Sequence, residues 1–574
     1  MSRVYELADD YVVRYAALHP NAATSMGVPG HERALTDFSP AGHAARVELQ
    51  GETLTALEAA PIEGERDRVA RDAMAERLRL ALELDAADEQ YRSLNILASP
   101  LQGLRRVFDL MPRETEEQWG NVSARLAALP DALDGYRALL EAGIERGLVS
   151  TQRQAAECAK QAAVWSGQRT GQGTGQDSAA PPFFETLVAA FEGSPAASGA
   201  AGQALAAELA AGARLAAEAF AGFGRYLTDR YTAAADPRDP VGRERYALGA
   251  RVYTGTKLDL EETYAWGWSE LRRIEAELAE TAERIQPGVG LEAVKELLET
   301  DPQRAIEGEE PFRAWMQDLQ DTTIAALDGV HFDLPEPVRR IEALIAPPGG
   351  ALAMYYTGPS EDFSRPGRTW YPTGGKTRFP LWGEVSIAYH EGVPGHHLQI
   401  ATTVHLRETL SRWQRLLGGT SGYVEGWALY AERLMGELGY LENPDYHLGM
   451  LRAQALRCAR VVVDIGMHLE LPIDGADRFH PGETWTPDLG LAFIRERSHF
   501  PPDFLASEID RYLGLPGQAI SYKVGERAWR AAREAARARL GDAFDLKAFH
   551  VQALDLGPMG LQQMGRELGG GTGP

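Results

Sequence analysis

Leu271-Arg-Arg-Ile-Glu-Ala-Glu-Leu-Ala-Glu-Thr-Ala-Glu-Arg-Ile285 sets apolar residues at Leu271, Ile274, Leu278 and Ile285, at intervals of 3, 4 and 7. Such intervals return to one face of a helix of about 3.6 residues per turn, so the stretch reads as an amphipathic α-helix with a single apolar stripe. Similar texture recurs over 43–60, 65–92, 115–146, 150–165, 200–230 and 526–540. These segments are dominated by Ala, Leu, Glu, Arg and Gln, which lose little side-chain freedom in a helix. The chain is therefore predicted to be mainly α. No block recurs at a fixed period of about 20–50 residues, so nothing in the sequence supports a solenoid.

The chain has 574 residues, 44% hydrophobic and 24% charged, which is the composition of a folded globular protein rather than a disordered or collagen-like one. It carries 82 acidic and 58 basic residues, a net charge of −24. That balance repels phosphate backbones and anionic lipid surfaces, which argues against nucleic acid or membrane partners. Two cysteines, Cys158 and Cys458, suit a reducing compartment and offer no thiolate metal site. The first ten residues lack a basic segment leading into an apolar one, and no window holds about 18 uncharged apolar residues. A cytoplasmic location is the expectation.

We read residues 1–574 as one catalytic unit, with a mostly helical N-terminal part over 1–330 and a part carrying the chemistry over 331–568. Ser166 to Pro182, rich in Gly, Gln and Thr, is expected to be a mobile surface loop between helices, and Gly569 to Pro574 a frayed tail. Between 331 and 386 Pro, Gly, Tyr and Thr replace Ala and Glu. Ala351 to Thr357 and Arg368 to Tyr371 are β-compatible, which predicts a small sheet just before the densest histidine cluster.

That cluster is His390-Glu-Gly-Val-Pro-Gly-His-His397, and it follows the apolar, helix-compatible Trp382-Gly-Glu-Val-Ser-Ile-Ala-Tyr389. A His followed at once by Glu, with another His close behind, places two imidazoles on one metal while the Glu reaches the water that the metal activates. The usual spacing is HExxH, and this chain departs from it. In an unbroken helix His396 lies about 240° round from His390, whereas His397 returns to within about 20° but sits about 10.5 Å further along. Pro394 forces a kink or bulge, and Gly392 and Gly395 supply the backbone freedom for it. A bulge that brings His396 round is favoured, with His397 the fallback ligand.

Gly422-Tyr-Val-Glu-Gly-Trp-Ala-Leu-Tyr-Ala-Glu432 reads as the start of a second helix, able to pack antiparallel to the first. Its Glu425 is the candidate third ligand, and two His with one Glu leave a fourth tetrahedral position open for water. Glu432, seven residues on and on nearly the same face, is either a carboxylate that orients a liganding histidine or a solvated helix residue. Zn suits this donor set, and Mn or Co would also bind it.

The chain resembles the bacterial domain-of-unknown-function family 885, which is grouped with the zincin metallopeptidases. The likeness rests on His390 to Gln399, on Glu425-Gly-Trp-Ala-Leu-Tyr-Ala-Glu432 and on Arg511-Tyr-Leu-Gly-Leu-Pro-Gly-Gln-Ala-Ile-Ser-Tyr-Lys523. It extends to Asp545-Leu-Lys-Ala-Phe-His550 and to Pro20-Asn-Ala-Ala-Thr-Ser-Met-Gly27, so it covers nearly the whole chain. The resemblance implies a mainly helical, bowl-like zincin fold with a small β-sheet next to the metal-binding helix.

In such a site Glu391 would take the water proton and pass it to the leaving amine. The developing oxyanion needs a donor from the opposite side. Tyr522 is the candidate, because a Gly-containing loop beside a tyrosine resembles the donor of related helical metallopeptidases; the alternative is an ordinary core tyrosine. Arg511, Lys523, Arg365 and Arg368 are the cations nearest these motifs, each either a clamp for a substrate carboxylate or a partner of the abundant Asp and Glu.

The leading expectation is a zinc peptidase, carboxypeptidase- or oligopeptidase-like, acting on short peptides. A metallohydrolase of another amide or ester uses the same residues, and an inactive metal- or peptide-binding protein is the third reading. Glu391 weighs against the third, since a structural metal site has no use for a general base. No G-x-S-x-G elbow, P-loop or G-x-G-x-x-G fingerprint supports a different chemistry.

Overall fold

The stripe that begins at Leu271 does bury: Leu271, Ile274 and Leu278 face inward on a helix spanning Leu260–Ile285 (α1), and Ile285 is half-buried at its end. Asp259 caps this helix by accepting from the Glu262 N–H, Glu261 and Glu262 fill its first turn and Arg284 its last, as the helix dipole favours. The computed structural model describes residues 2–168, 182–346, 354–498 and 500–570. Most of the expected loop (169–181), the end of the expected tail (571–574) and the start of the first expected strand (351–353) lie outside the described residues.

The fold is mainly helical with small sheets, and the chain divides into two compact units. One comprises Met1–Glu63 and Arg77–Asp239, the other Gly64–Glu76 and Pro240–Pro574. The change of texture near residue 331 falls inside the second unit.

The first unit is built of helices that include Arg3–Leu18, Pro40–Ala59, Glu116–Arg146, Gln152–Trp165 and Gly199–Tyr226. Glu116–Arg146 starts at a capping box, with Thr115 and Gln118 exchanging side-chain bonds to backbone, and it runs through Pro130. Its buried face packs on Gly199–Tyr226 in an aromatic core where Trp119 meets Phe191 edge-on and Tyr136 stacks on Phe223. Two predicted helices end sooner than expected. The 65–92 stretch is helical over Glu65–Ala86 and closes in a 3₁₀ turn at Glu89–Arg92, and the 200–230 stretch passes into a π turn at Leu227–Tyr231.

In the second unit α1 is followed by β1 (Ala305–Glu307), α2 (Glu309–Leu327), β2 (Ile341–Ile345), β3 (Tyr355–Thr357), β4 (Gly367–Tyr371) and β5 (Arg378–Pro380). β4 lies between β2, which it pairs in parallel, and β3, which it pairs antiparallel; β1 pairs antiparallel with β5. Five helices then matter for the chemistry: α3 (Glu384–Glu391), α4 (His396–His405), α5 (Ser421–Glu437), α6 (Pro444–Leu469) and α7 (Ser521–Leu540). The small sheets therefore stand immediately ahead of the His390 motif, where the composition places them. α2 ties the larger sheet to its neighbours: Gln320 donates to Thr369 Oγ1 at 2.8 Å and to Tyr371 Oη at 2.7 Å.

α6 is buried almost all round from Leu448 to His468, as expected of a central helix rather than an amphipathic surface one. Each large aliphatic side chain it buries stabilises by about 1.5–3 kcal/mol. It packs against α1 on one side and α3 on another. α5 and α7 cross at unusually short range: a Cβ on Gly525 would lie 2.1 Å from the Gly422 carbonyl oxygen, and one on Gly426 2.4 Å from the Gly525 backbone. Only glycine fits at that crossing, which brings the turn holding Tyr522 up to the turn holding Glu425.

Among the described residues no helix is long and apolar enough to cross a membrane. Cys158 and Cys458 are both buried and unpaired.

Candidate metal centre

α3 delivers His390 and Glu391 in its last turn and stops at Gly392, whose N–H still reaches the Ala388 carbonyl at 2.8 Å. Pro394 has no N–H with which to continue the ladder. The connection, with a cis Val393–Pro394 peptide, loops so that the Gly395 N–H returns to the Tyr389 carbonyl at 3.0 Å, and α4 restarts at His396. A Cβ on Gly395 would stand 2.0 Å from the His390 carbonyl oxygen and 2.4 Å from that of Tyr389. This close approach admits no side chain. Its result is that His396 comes round to His390, with ring centroids 4.7 Å apart and planes at 82°.

α5 supplies the third group. Glu425 Oε2 lies 3.4 Å from His390 Nε2 and 3.5 Å from His396 Nε2, and one ligand atom from each of the three residues falls within 4.8 Å of the others. Ligands at about 2.0–2.2 Å from a tetrahedral metal stand about 3.3–3.6 Å from each other, so the two His–Glu separations fit that geometry. Among the described residues Glu425 Oε2 and His396 Nδ1 are buried without a hydrogen-bond partner. An orphaned carboxylate oxygen between two imidazole nitrogens is the environment a divalent cation satisfies. Neutral imidazoles and a carboxylate suit Zn, Mn or Co.

Glu432 is fully buried behind His390. Its Oε1 accepts from His390 Nδ1 at 2.8 Å and its Oε2 from Ser386 Oγ at 2.5 Å. This fixes the proton on Nδ1 and turns Nε2 toward Glu425. The buried alternative, not the solvated one, is therefore the place of Glu432.

Burial opposes charge on His390, yet the neighbouring carboxylates of Glu425 and Glu432 outweigh it and raise its pKa to about 9. Burial likewise works to raise Glu425, but the two histidines hold it well below the usual carboxylate range. Glu432 is lowered too, against its burial, by the charge of Arg457 and by His390. Glu391 is the contrast: burial pushes it up and the charges of His396 and His390 only partly offset this. A buried carboxylate made more basic in this way, beside two histidines and a carboxylate, is matched to accepting a proton.

His397 points elsewhere. Its Nε2 donates to the Val338 carbonyl at 2.7 Å and its Nδ1 accepts from the Tyr356 hydroxyl at 2.8 Å, so both ring nitrogens are used. Burial drives its pKa down to about 4, which keeps the ring neutral. Of the two candidates, His396 joins His390 and Glu425, and His397 instead anchors α4 to the 3₁₀ turn Glu336–Arg339 and to β3.

Tyr522 lies half-buried in the first turn of α7 with the guanidiniums of Arg460 at 4.8 Å and Arg457 at 6.0 Å over its ring. Burial and the nearby charge of Glu425 raise its pKa, so the hydroxyl stays protonated and able to donate. The four cations nearest the motifs are placed less favourably. Arg511 is held by Glu508 at 3.0 and 2.7 Å, Lys523 is buried among Glu270, Gln454 and Glu526, and Arg368 bonds Glu342 at 2.8 Å. Arg365 donates to the Pro366 carbonyl at 3.4 Å. Two residues to which the sequence motifs assign no role also contribute. Trp427 donates to the carbonyls of Pro394 and Gly395, and Arg457 lies 3.8 Å from Glu432.

Two solved structures share the fold. One, a candidate lipoprotein of Colwellia psychrerythraea, is 21% identical with a TM-score of 0.84 and 98% of each chain covered. The other, a candidate lipoprotein of unknown function from Shewanella oneidensis, is 16% identical with a TM-score of 0.71 and 99% of each chain covered. No curated protein matches the sequence. Residues 20–568 match the family described as bacterial protein of unknown function (DUF885), and the chain belongs to that family.

Proposed function

We propose that this protein is a zinc-dependent hydrolase of the zincin type that cleaves amide bonds in short peptides. One observation carries the reading: His390 Nε2 and His396 Nε2 each lie at tetrahedral spacing from Glu425 Oε2, and all three residues gather near the buried carboxyl of Glu391. A divalent cation bound there would acidify a water and polarise the scissile carbonyl. Glu391 would accept a proton from the attacking water and deliver it to the leaving nitrogen. Glu432 holds His390 in one tautomer and one orientation, and Tyr522 donates its hydroxyl to the carbonyl oxygen as charge develops there. Mn or Co would serve the same donors, and two buried thiols suit a cytoplasmic location.

The experiment is mass spectrometry of a mixed peptide library after incubation with zinc-loaded protein, beside a Glu391→Gln control. Glu391→Gln keeps the shape of the side chain and the metal ligands but cannot accept the proton, so it should bind zinc with wild-type stoichiometry and lose turnover by roughly 10²–10⁴-fold. Equal turnover by the variant would take Glu391 out of the mechanism. An inert wild-type protein would leave only metal binding.

A further inference from the structure

Arg457, on α6, is 12% exposed at its side chain and stands one turn before Arg460. Arg460 is fully engaged, bonding Glu508 at 3.0 and 2.6 Å and the Tyr512 hydroxyl at 3.1 Å. Arg497 in the same unit bonds Glu275 and Asp477, each at 2.6 Å. Arg457 differs from both. Among the described residues its carboxylate contact is Glu432 Oε1 at 3.8 Å, an oxygen that His390 Nδ1 already occupies at 2.8 Å. Among the described residues its Nε has no hydrogen-bond partner, as that of Arg497 has none, but Arg457 alone of the three also lacks a carboxylate within hydrogen-bond distance. Leaving a buried donor of a charged group unmatched is costly, and a divalent cation at the His390 set would add like-charge repulsion.

The position of this guanidinium matters as much as its lack of a close carboxylate. It lies no further from the His390 ring than the two contacts through Glu432 laid end to end. Its charge also acts on Glu391, and its Cζ lies 6.0 Å from the centre of the Tyr522 ring. A scissile carbonyl held between Glu391 and Tyr522 has its next backbone group about 3.3–3.6 Å further along an extended chain. A guanidinium pairs with a carboxylate there through two parallel bonds of about 2.8 Å.

Resting on the hydrolase reading above, we propose that Arg457 recognises a free carboxylate one residue beyond the scissile bond. The substrates are then peptides or N-acyl amino acids with an unblocked C-terminus, cleaved one residue at a time. Water adds its oxygen to the scissile carbonyl carbon, the C–N bond breaks, and the proton taken by Glu391 goes to the departing nitrogen. The product is a free amino acid whose carboxylate is unchanged throughout. Arg457 acts as a specificity-determining residue in this scheme, and the four cations nearest the motifs do not.

The test uses matched peptides that differ only in ending as a carboxylate or an amide, with zinc-loaded wild-type, Arg457→Gln and Arg457→Lys proteins, all checked for zinc content. The wild type should release single C-terminal residues and prefer the acid by on the order of 100-fold in kcat/KM. Arg457→Gln should bring that ratio close to unity, and Arg457→Lys should fall between, keeping the charge without the planar fork. If Arg457→Gln does not fold, the wild-type ratio and Arg457→Lys decide. Equal cleavage of acid and amide by the wild type, internal cleavage, or an equal loss on both series in the variants overturns the assignment and leaves the hydrolase standing. A wild type that cleaves neither series removes both.

Discussion

Trp427 donates its indole N–H to the carbonyl oxygen of Pro394 at 2.8 Å, and the Gly395 oxygen lies 3.2 Å from the same nitrogen. The helix that presents Glu425 thus also clamps the break that swings His396 round to His390. The three ligand candidates come from three helices, and this contact couples the position of the third to that of the first two. Trp427 is fully buried, with its ring against Trp529 and His550, so the donor has little room to move.

Replacing Trp427 by Phe keeps most of the buried ring and deletes the donor, leaving one or both carbonyls unpaired. The expected cost is about 1–3 kcal/mol in urea unfolding of the metal-free protein. A roughly 10–100-fold weaker zinc affinity should accompany it in competition titrations, because the break would no longer be held. A variant that matches wild type in both measurements would show that the break is rigid without the indole.

Much of this centre is legible along the chain, and the limits are specific. Glu425 and Glu432 are one heptad apart, so a helix must put them on nearly the same face, and both do meet His390. Pro394 between two glycines announces an interrupted helix. What spacing alone leaves open is which histidine the interruption favours, since that depends on Val338 and Tyr356, residues 59 and 41 positions away that occupy the His397 ring. The cation proposed for the substrate carboxylate is hidden for a related reason. Arg511 and Lys523 stand next to a family motif, yet their carboxylate partners lie within three residues or on a distant helix, and Arg457 sits in a run of buried helix with no motif around it. Proximity in sequence says little about which charge is left without a carboxylate at hydrogen-bond distance. The helices were easier to read because their periodicity is local, whereas the π turn at Leu227–Tyr231 has no such signal.

Separate substitutions of the two adjacent histidines should part cleanly. His396→Ala removes one of three converging ligand atoms, and zinc content by elemental analysis should fall from about one per chain to near zero after dialysis. His397→Ala leaves the Val338 carbonyl and the Tyr356 hydroxyl without their partner and opens a cavity at a fully buried site. A loss of about 2–4 kcal/mol in stability is expected, with zinc retained. The reverse pattern would move the ligand assignment to His397 and require the chain between Gly392 and His397 to rearrange on binding.

The final prediction concerns pH. In the metal-free protein His390 has a carboxylate on each ring nitrogen, Glu432 at 2.8 Å and Glu425 at 3.4 Å, and despite burial its pKa rises from 6.5 to about 9. Because the folded pKa exceeds the unfolded one, the protonated ring stabilises the metal-free fold fully below about pH 6.5, and this contribution is lost as the pH climbs through about 9. Zinc at Nε2 must displace that proton, so its apparent affinity runs the other way and should rise about tenfold per pH unit up to about 9 for one proton released. Urea unfolding of stripped protein at pH 6.5 and 9 gives the first slope, and zinc competition titrations over the same range give the second. In His390→Asn both slopes should flatten. Zinc affinity that stays constant across this range in the wild type would mean that the metal does not enter at the Nε2 of His390, and the three-residue centre would have to be abandoned.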